Sequence, residues 1–334
     1  MRTIVTSDLH LTDNPRDAHR FDLFPWLARQ GSKHDAQHLL ILGDLTDKKD
    51  HHSAQLVNKI CDTLWGLLQN GGFLHITILM GNHDYIDPNT PFFKFLNYSE
   101  YEGSGIFFIN KIEHRHGLYL PHTRTPEKDW ANLNFKDVDY CFLHHTFAGA
   151  KSSNGMAMKG TSPGIFKNKD VQFISGDIHV PQKLHNITYV GSPYHVHFGD
   201  SYKPRVLLLD GKKTKSLYFK TINKHTIVIT DPKELYNCIH LEQGDQVKVR
   251  ILLHKFQFID WPNYKTRVTE ICKEIGVDLY GVELLEHKKA TQNEEDRKQI
   301  TTEQPNEIFN AFCEQEKIGG VLKEIGEELL GVEE

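Results

Sequence analysis

Apolar and polar positions alternate in short blocks from residue 1 to about 220. The run RTIVT reads as a strand that ends in Ser7-Asp8, and FDLFPWLARQGSKH (residues 21–34) as a helix. AQHLLILGDLTD (36–47) is a strand ending in a turn. Residues 53–72 place Leu56, Ile60, Leu64, Leu67 and Leu68 at helical spacing before a Gly-Gly stop. HITILMGNHD (75–84) is again apolar, then polar. GIFFIN, HGLYLPH, DYCFLHH, VQFISGDIH, NITYVGSP, PRVLLLDG and KSLYFKTI are further strand candidates. The pattern predicts a mixed α/β (α+β) fold.

From about His225 the rhythm changes. HTIVIT, DPKELYNCIH, QVKVRILL, NYKTRVTEICKEIG and VDLYGVELLE read as β-α-β-α-β, a small second domain over 223–288 that follows a first domain over 1–222. Residues 289–305 are a polar linker by composition. Residues 306–334 form an amphipathic, helical tail interrupted at Gly319-Gly320.

Four apolar strands end in polar clusters, SDLH, GDLTD, GNHD and GDIH, with LHHT a fifth. In open α/β sheets sites form outside the carboxyl ends of strands, so these clusters can meet in one place. Taken singly each is an ordinary strand-end turn. Together they supply carboxylates, an amide oxygen and imidazoles, the donors that suit a pair of hard or borderline divalent cations.

Composition adds little that is specific: 334 residues, 39% hydrophobic, 25% charged, with a net charge of −5. That charge argues against a broadly basic surface but leaves room for a local basic patch, because metals at a site can neutralise phosphate themselves. The five cysteines are scattered with no CxxC pair, so neither a disulfide framework nor a zinc knuckle is indicated. No apolar stretch approaches the ~20 residues that span a bilayer, and the first residues lack a signal-peptide core. The expectation is a cytoplasmic protein without membrane association. Histidine is plentiful, with 21 in all, and most of these residues lie outside any motif.

In order, Asp8-x-His10, Gly43-Asp44-x-x-Asp47, Gly81-Asn82-His83-Asp84, His144 and Asp177-x-His179 resemble the calcineurin-like metallophosphoesterase superfamily, whose motifs run D-x-H, G-D-x-x-D, G-N-H-[DE], H and G-H-x-H. The resemblance covers about the first 200 residues. It implies a four-layer β-sandwich flanked by helices, with a dimetal site along one edge. It further implies that Asp8, His10 and His179 hold one metal, that Asp44 bridges, and that Asn82, His144 and Asp177 hold the other. His83 would bind no metal but sit over the phosphate and protonate the leaving oxygen or stabilise the transition state, with Asp84 orienting a neighbouring group. Asp177 stands where the family usually has histidine, which favours manganese or magnesium. LHHT leaves His144 and His145 as alternatives, with His144 favoured because it directly follows the strand. His51 and His52 read first as solvated loop residues and, with His145, are the candidate substrate contacts. Asp47 reads as a loop-capping acid and His195 and His197 as exposed strand residues. His19, His34, His38, His75, His114, His116, His122 and His185 read as surface or packing residues.

Residues 189–200, YVGSPYHVHFGD, resemble the G-S-P-x-x-x-x-F-G-[DE] segment of SbcD-type nuclease subunits of double-strand-break repair complexes. The small second domain and the tail stand where those subunits carry a DNA-capping domain and the helices that dock on an SbcC-type coiled-coil ATPase. The resemblance therefore implies a Mn2+-dependent (alternatively Mg2+-dependent) exonuclease and endonuclease on double- and single-stranded DNA, acting in repair and recombination as a homodimer, of bacterial or phage type. Those nucleases often have a histidine three residues after the bridging acid; here that residue is Asp47, which leaves the endonuclease share open. The rivals are a phosphodiesterase or phosphatase for small substrates and a non-catalytic DNA-binding scaffold.

Overall fold

The fold is described from a computed structural model, which covers residues 2–101, 104–166 and 171–286. The expected linker at 289–305 and helical tail at 306–334 lie outside the described residues. Apart from 253–258 and Glu286, the described residues form one compact unit.

Among the described residues sixteen strands run in chain order: β1 (Arg2–Thr6), β2 (Ala36–Leu42), β3 (His75–Leu79), β4 (Tyr98–Tyr101), β5 (Ser104–Ile109), β6 (Glu113–His114), β7 (Leu118–Leu120), β8 (Tyr140–His144), β9 (Gln172–Gly176), β10 (Gln182–Leu184), β11 (Ile187–Tyr189), β12 (Val206–Asp210), β13 (Lys213–Leu217), β14 (Lys224–Ile229), β15 (Gln246–Leu253) and β16 (Asp278–Glu286). The helices are α1 (Leu23–His34), α2 (Ala54–Asn70), the single turn α3 (Pro126–Asp129) and α4 (Trp261–Glu274). A seven-stranded sheet has the order β13-β12-β1-β2-β3-β5-β4, and a six-stranded sheet β10-β11-β9-β8-β7-β6. β1, β2, β3 and β5 are mutually parallel, as are β7, β8, β9 and β11.

The two sheets face each other across Val5, Leu40 and Leu42 from one and Tyr119, Phe142 and Ile174 from the other. Leu39 and Ile41 of β2 point the opposite way, into a core closed by Leu27 of α1 and Leu56, Ile60, Leu64 and Leu67 of α2. Both faces of β2 are therefore buried, which is why its sequence is a continuous apolar run rather than an alternation. α2 starts where the Ser53 hydroxyl accepts from the Leu56 N–H at 3.2 Å and ends at Gly71. The fold is thus mixed α/β, as the pattern predicts, and among the described residues the long helices α1 and α2 flank the seven-stranded sheet. The outer face of the six-stranded sheet is covered by loops carrying Trp130, Phe147 and Phe166. Three large aromatic side chains close that face without a long helix.

Residues 224–286 build a third sheet, β14-β15-β16, with α4 between its last two strands. The segment DPKELYNCIH, expected as a helix, is only a 3-10 turn over Pro232–Asn237, capped by Asp231 and Glu234. Its only buried residues are Pro232 and Leu235, too little apolar contact to hold several helical turns. Similarly, the KSLYFKTI run leaves the sheet after Leu217, and the chain crosses to the third sheet through Tyr218 and Phe219 without strand structure.

Candidate dimetal site

Parallel strands deliver their carboxyl ends to one edge. Asp8 and His10 follow β1, Asp44 follows β2, Asn82 and His83 follow β3, His144 ends β8, and Asp177 and His179 follow β9. The chain turns sharply at this edge. Asp8, His10, Asp44 and Asp177 have φ of +53°, +43°, +53° and +80°, a left-handed backbone that non-glycine residues adopt at some cost and that clusters at functional sites.

Neighbouring groups hold these bends. The Asp8 and His10 N–H groups donate to the Gly43 and Asp44 carbonyls at 3.1 and 2.9 Å. The Arg20 guanidinium donates to the His10 carbonyl and pairs with Asp17 at 3.0 Å. The Ser192 hydroxyl donates to the Asp8 carbonyl at 3.0 Å and the Tyr194 hydroxyl to that of Leu9 at 2.5 Å. The G-S-P-Y segment thus braces the first metal-ligand loop. Gly43, at φ +82°, and Gly81 touch: a Cβ on Gly43 would lie 2.7 Å from the Gly81 Cα. Only two glycines allow the loops after β2 and β3 to close on the His144 ring.

Three overlapping groups of donor atoms converge among the described residues: Asp8, His10 and His179; His10, Asp44 and His83; and Asp8, Asp44 and His144. The His10 and His179 Nε2 atoms are 3.1 Å apart. Two nitrogens bound at right angles to one cation at ~2.1 Å would be about 3 Å apart. His144 donates from Nδ1 to the Leu42 carbonyl at 2.6 Å, which fixes its tautomer and leaves Nε2 facing the acids. That Nε2 is 3.4 Å from Asp44 Oδ1, 3.7 Å from Asp177 Oδ1 and 2.9 Å from the Asn82 amide. Asp8 Oδ2 is buried with no hydrogen-bond partner. A buried carboxylate oxygen without a partner, in a cluster of other carboxylates and imidazoles, is what divalent cations fit.

Without a cation the charges are poorly matched. Burial and the neighbouring Asp44 raise the Asp8 carboxyl to about 6, against the pull of His144. Burial opposes ionisation of Asp44 too, but His144, His10 and His83 hold it well below the usual carboxylate range. His10 resists charging through burial, yet Asp47, Asp44 and Asp8 more than offset that and raise it. Burial beside His10 pushes His179 down to about 4. Asp177 gives one oxygen to the Thr146 hydroxyl at 2.5 Å and leaves the other toward His144.

His83 is half-buried. Its N–H donates to Asp44 Oδ1 at 2.8 Å and its Nδ1 to the Asp47 carbonyl at 2.6 Å, so Nε2 is the nitrogen free to meet a substrate. Asp84 faces away from the donor cluster. Fully buried, it accepts from the Asp44, Leu45 and Gly81 N–H groups at 2.9, 3.0 and 2.7 Å, which ties the loop after β2 to the loop after β3. Its role is to position backbone, not to touch a reacting atom.

Several expectations change here. His145 is buried: its Nε2 bonds the Thr161 hydroxyl at 2.8 Å and its ring packs on Trp130 and Phe147. A residue next to a strand-end ligand points to the other face of the sheet. His52 packs on Phe92 and Phe93 with ring centroids at 4.4 and 5.0 Å, while His51 is exposed on the loop before α2. His195 and His197 are on no strand; His195 is buried and bonds the Tyr202 carbonyl. His197, exposed, stacks on the His179 ring at 5.3 Å. His122, read as packing, lies 6.2 Å ring to ring from His144, and its Nδ1 meets the Tyr85 hydroxyl at 2.9 Å. Asp47 Oδ1 is 3.5 Å from His10 Nδ1, a placement that reaches beyond loop capping. Only tertiary contact reveals these neighbours.

A family described as calcineurin-like phosphoesterase matches residues 1–181. No curated protein matches the chain. Among solved structures, the chain is similar to the nuclease MPE of Pseudomonas putida, at 14% identity over 64% of this chain and 87% of that one, with a TM-score of 0.30. That likeness is too slight to carry an argument about activity. Among the described residues no helix is long and apolar enough to cross a membrane.

Proposed function

The chain belongs to the calcineurin-like phosphoesterase family, a family of metal-dependent phosphoester hydrolases, and from that premise we propose that it is a DNA nuclease working with two Mn2+ ions, Mg2+ being the alternative. The observation that carries the reading is the convergence of Asp8, His10, Asp44, His144 and His179 on one edge, beside a histidine anchored for proton transfer. Two divalent cations held there would neutralise the nonbridging oxygens and acidify the attacking water.

The chain's own residues do the rest. Hydrolysis adds water across the bond between phosphorus and the 3′ oxygen, leaving a 5′-phosphate and a 3′-hydroxyl. His83, tied through Nδ1 to the Asp47 carbonyl, gives its Nε2 proton to the departing oxygen and regains one from solvent. Asp84 keeps the His83 and Asp44 loops in register. A cavity of about 390 Å³ is lined by Arg20, Lys48, His197, Lys224 and Tyr280 and by the acids Asp13, Asp17 and Asp47, with Arg20 and Lys224 both paired to Asp17. Lys48, exposed at its edge, suits the strand that leaves the site. The residue 189–200 segment and the third sheet support the SbcD-type reading, and with it a homodimer and an SbcC-type ATPase partner in double-strand-break repair, in the cytoplasm.

The test is cleavage of end-labelled linear duplex DNA in Mn2+ and in Mg2+, beside bis(4-nitrophenyl) phosphate. Strong preference for DNA is expected, with Mn2+ the better ion. Efficient hydrolysis of the small diester with no cleavage of DNA would replace the nuclease with a small-substrate phosphodiesterase.

A further inference from the structure

The donor cluster has two ends. At one, His10 and His83 lie against Asp47 and the 390 Å³ cavity. At the other, His144 and Asn82 lie beside His122, and His122 opens onto a second and larger cavity of about 460 Å³. Tyr85, Trp130 and Met80, each nearly inaccessible to solvent, help to floor it, with Pro88, Pro121 and the exposed Ile112 beside them. Lys111 and Arg124 stand at its rim, and the Arg124 guanidinium lies 5.5 Å above the Tyr85 ring. Its one carboxylate, Asp129, is already engaged by the hydroxyls of Thr123 and Thr125.

A flat apolar body with an anionic edge matches that lining: the floor is aromatic, the rim is basic, and the one acid is occupied. We propose that this cavity binds the nucleoside that keeps the phosphate after cleavage, its base against the partly exposed His122 ring and between Pro88 and Ile112, above the floor of Tyr85 and Trp130, and its phosphate at the Asn82–His144 end of the cluster. The leaving strand then extends from His83 into the other cavity, so the scissile phosphate lies between two binding pockets. The subsite rests on the phosphodiesterase reading and deepens it. It makes the enzyme select for a nucleoside on one side of the phosphate and not for the diester alone. Stacking of a base on an aromatic ring is worth about 1–3 kcal/mol, or roughly fivefold to over a hundredfold.

Two chromogenic diesters with the same leaving group separate this pocket from the chemistry. The 4-nitrophenyl ester of thymidine 5′-monophosphate carries a nucleoside, and methyl 4-nitrophenyl phosphate does not. With Mn2+ and the full chain, kcat/KM should favour the thymidine ester by about tenfold or more, mostly through KM. Ile112→Trp narrows the cavity at a position 44% exposed to solvent, and should reduce that preference by about tenfold. Arg124→Ala should reduce it in the same direction. An equal rate for the two esters, or a preference that survives Ile112→Trp, overturns the subsite while leaving the phosphodiesterase reading intact. If neither ester is hydrolysed, that reading fails, and equilibrium binding of thymidine 5′-monophosphate decides the pocket. Saturable binding weakened by Ile112→Trp keeps it as a nucleotide site, and absence of binding removes it.

Discussion

Two histidines of near-equal burial, 2% and 3% exposed, one inside β2 and one just beyond the end of its neighbour β1, have opposite fates. His38 sits in β2 with Thr3 of β1 and Thr77 of β3 on either side; its Nδ1 and Nε2 meet their hydroxyls at 3.3 and 2.9 Å. Both ring nitrogens are satisfied, burial holds its pKa down to about 3, and the ring is an inert part of the core. His10 leaves β1 on a left-handed bend. Burial lowers its pKa, but Asp47, Asp44 and Asp8 more than offset that and raise it. What separates these two histidines is therefore not burial but the groups around them: hydroxyls that complete the ring's hydrogen bonding at His38, acids and other imidazoles at His10. Around His38 the count closes; around His10 and Asp8 it stays open for a cation.

The sharpest break of this comparison is a pair of alanine variants. His10→Ala should lower kcat/KM on DNA by about a thousandfold or more, with little change in unfolding free energy, because the side chain sits among groups that repel one another or lack partners. His38→Ala should do the reverse: lose about 3 kcal/mol of stability through a cavity and two unpaired hydroxyls, with kcat per folded molecule retained. Denaturant unfolding and initial rates on the same preparations check both. Equal losses in both variants would erase the distinction.

Next in size is the pH dependence of stability in chelator. As the pH falls from about 6.5 toward 3, the unfolded chain takes up a proton that native His38 refuses, so stability drops. Asp8, raised from 3.8 to about 6, has the opposite sign. Between those values native Asp8 holds a proton that the unfolded chain has released, so stability falls as the pH rises. His38→Gln should flatten the acid-side loss, and Asp8→Asn should remove the opposing slope. Melts from pH 4 to 6.5 read both, and unchanged slopes would contradict the burial argument.

The smallest effect is expected at Thr146. Removing its hydroxyl with Thr146→Val frees the Asp177 carboxylate to rotate, and should weaken Mn2+ binding about tenfold at the His144 end. Mn2+ titration followed by electron paramagnetic resonance measures it. Unchanged affinity would mean that Asp177 needs no support to face His144.

Sequence made one half of this contrast readable. The apolar runs and the acids and histidines that follow them mark strands and the edge where they end, because side-chain period and strand polarity are local properties. The two helices on the seven-stranded sheet are legible from their spacing for the same reason. His38 could be read as packing only by default, since Thr3 and Thr77 are 35 and 39 residues away in the chain. His122 and His197 beside the ligands, and the turning away of His145, depend equally on contacts between distant segments. The GSPY segment is legible as a motif, but what it does at this site, holding the Asp8 and Leu9 carbonyls, is a fact of three dimensions. The aromatic cover on the second sheet leaves no periodic trace at all.

The central claim is that acids at these strand ends hydrolyse DNA, and Asp44 is the residue shared by both ends of the cluster. Asp44→Ala, shown to be folded by its circular dichroism and cooperative unfolding, should cleave end-labelled duplex DNA in Mn2+ at least about a thousandfold more slowly than the wild type. Cleavage at the wild-type rate would contradict the dimetal account.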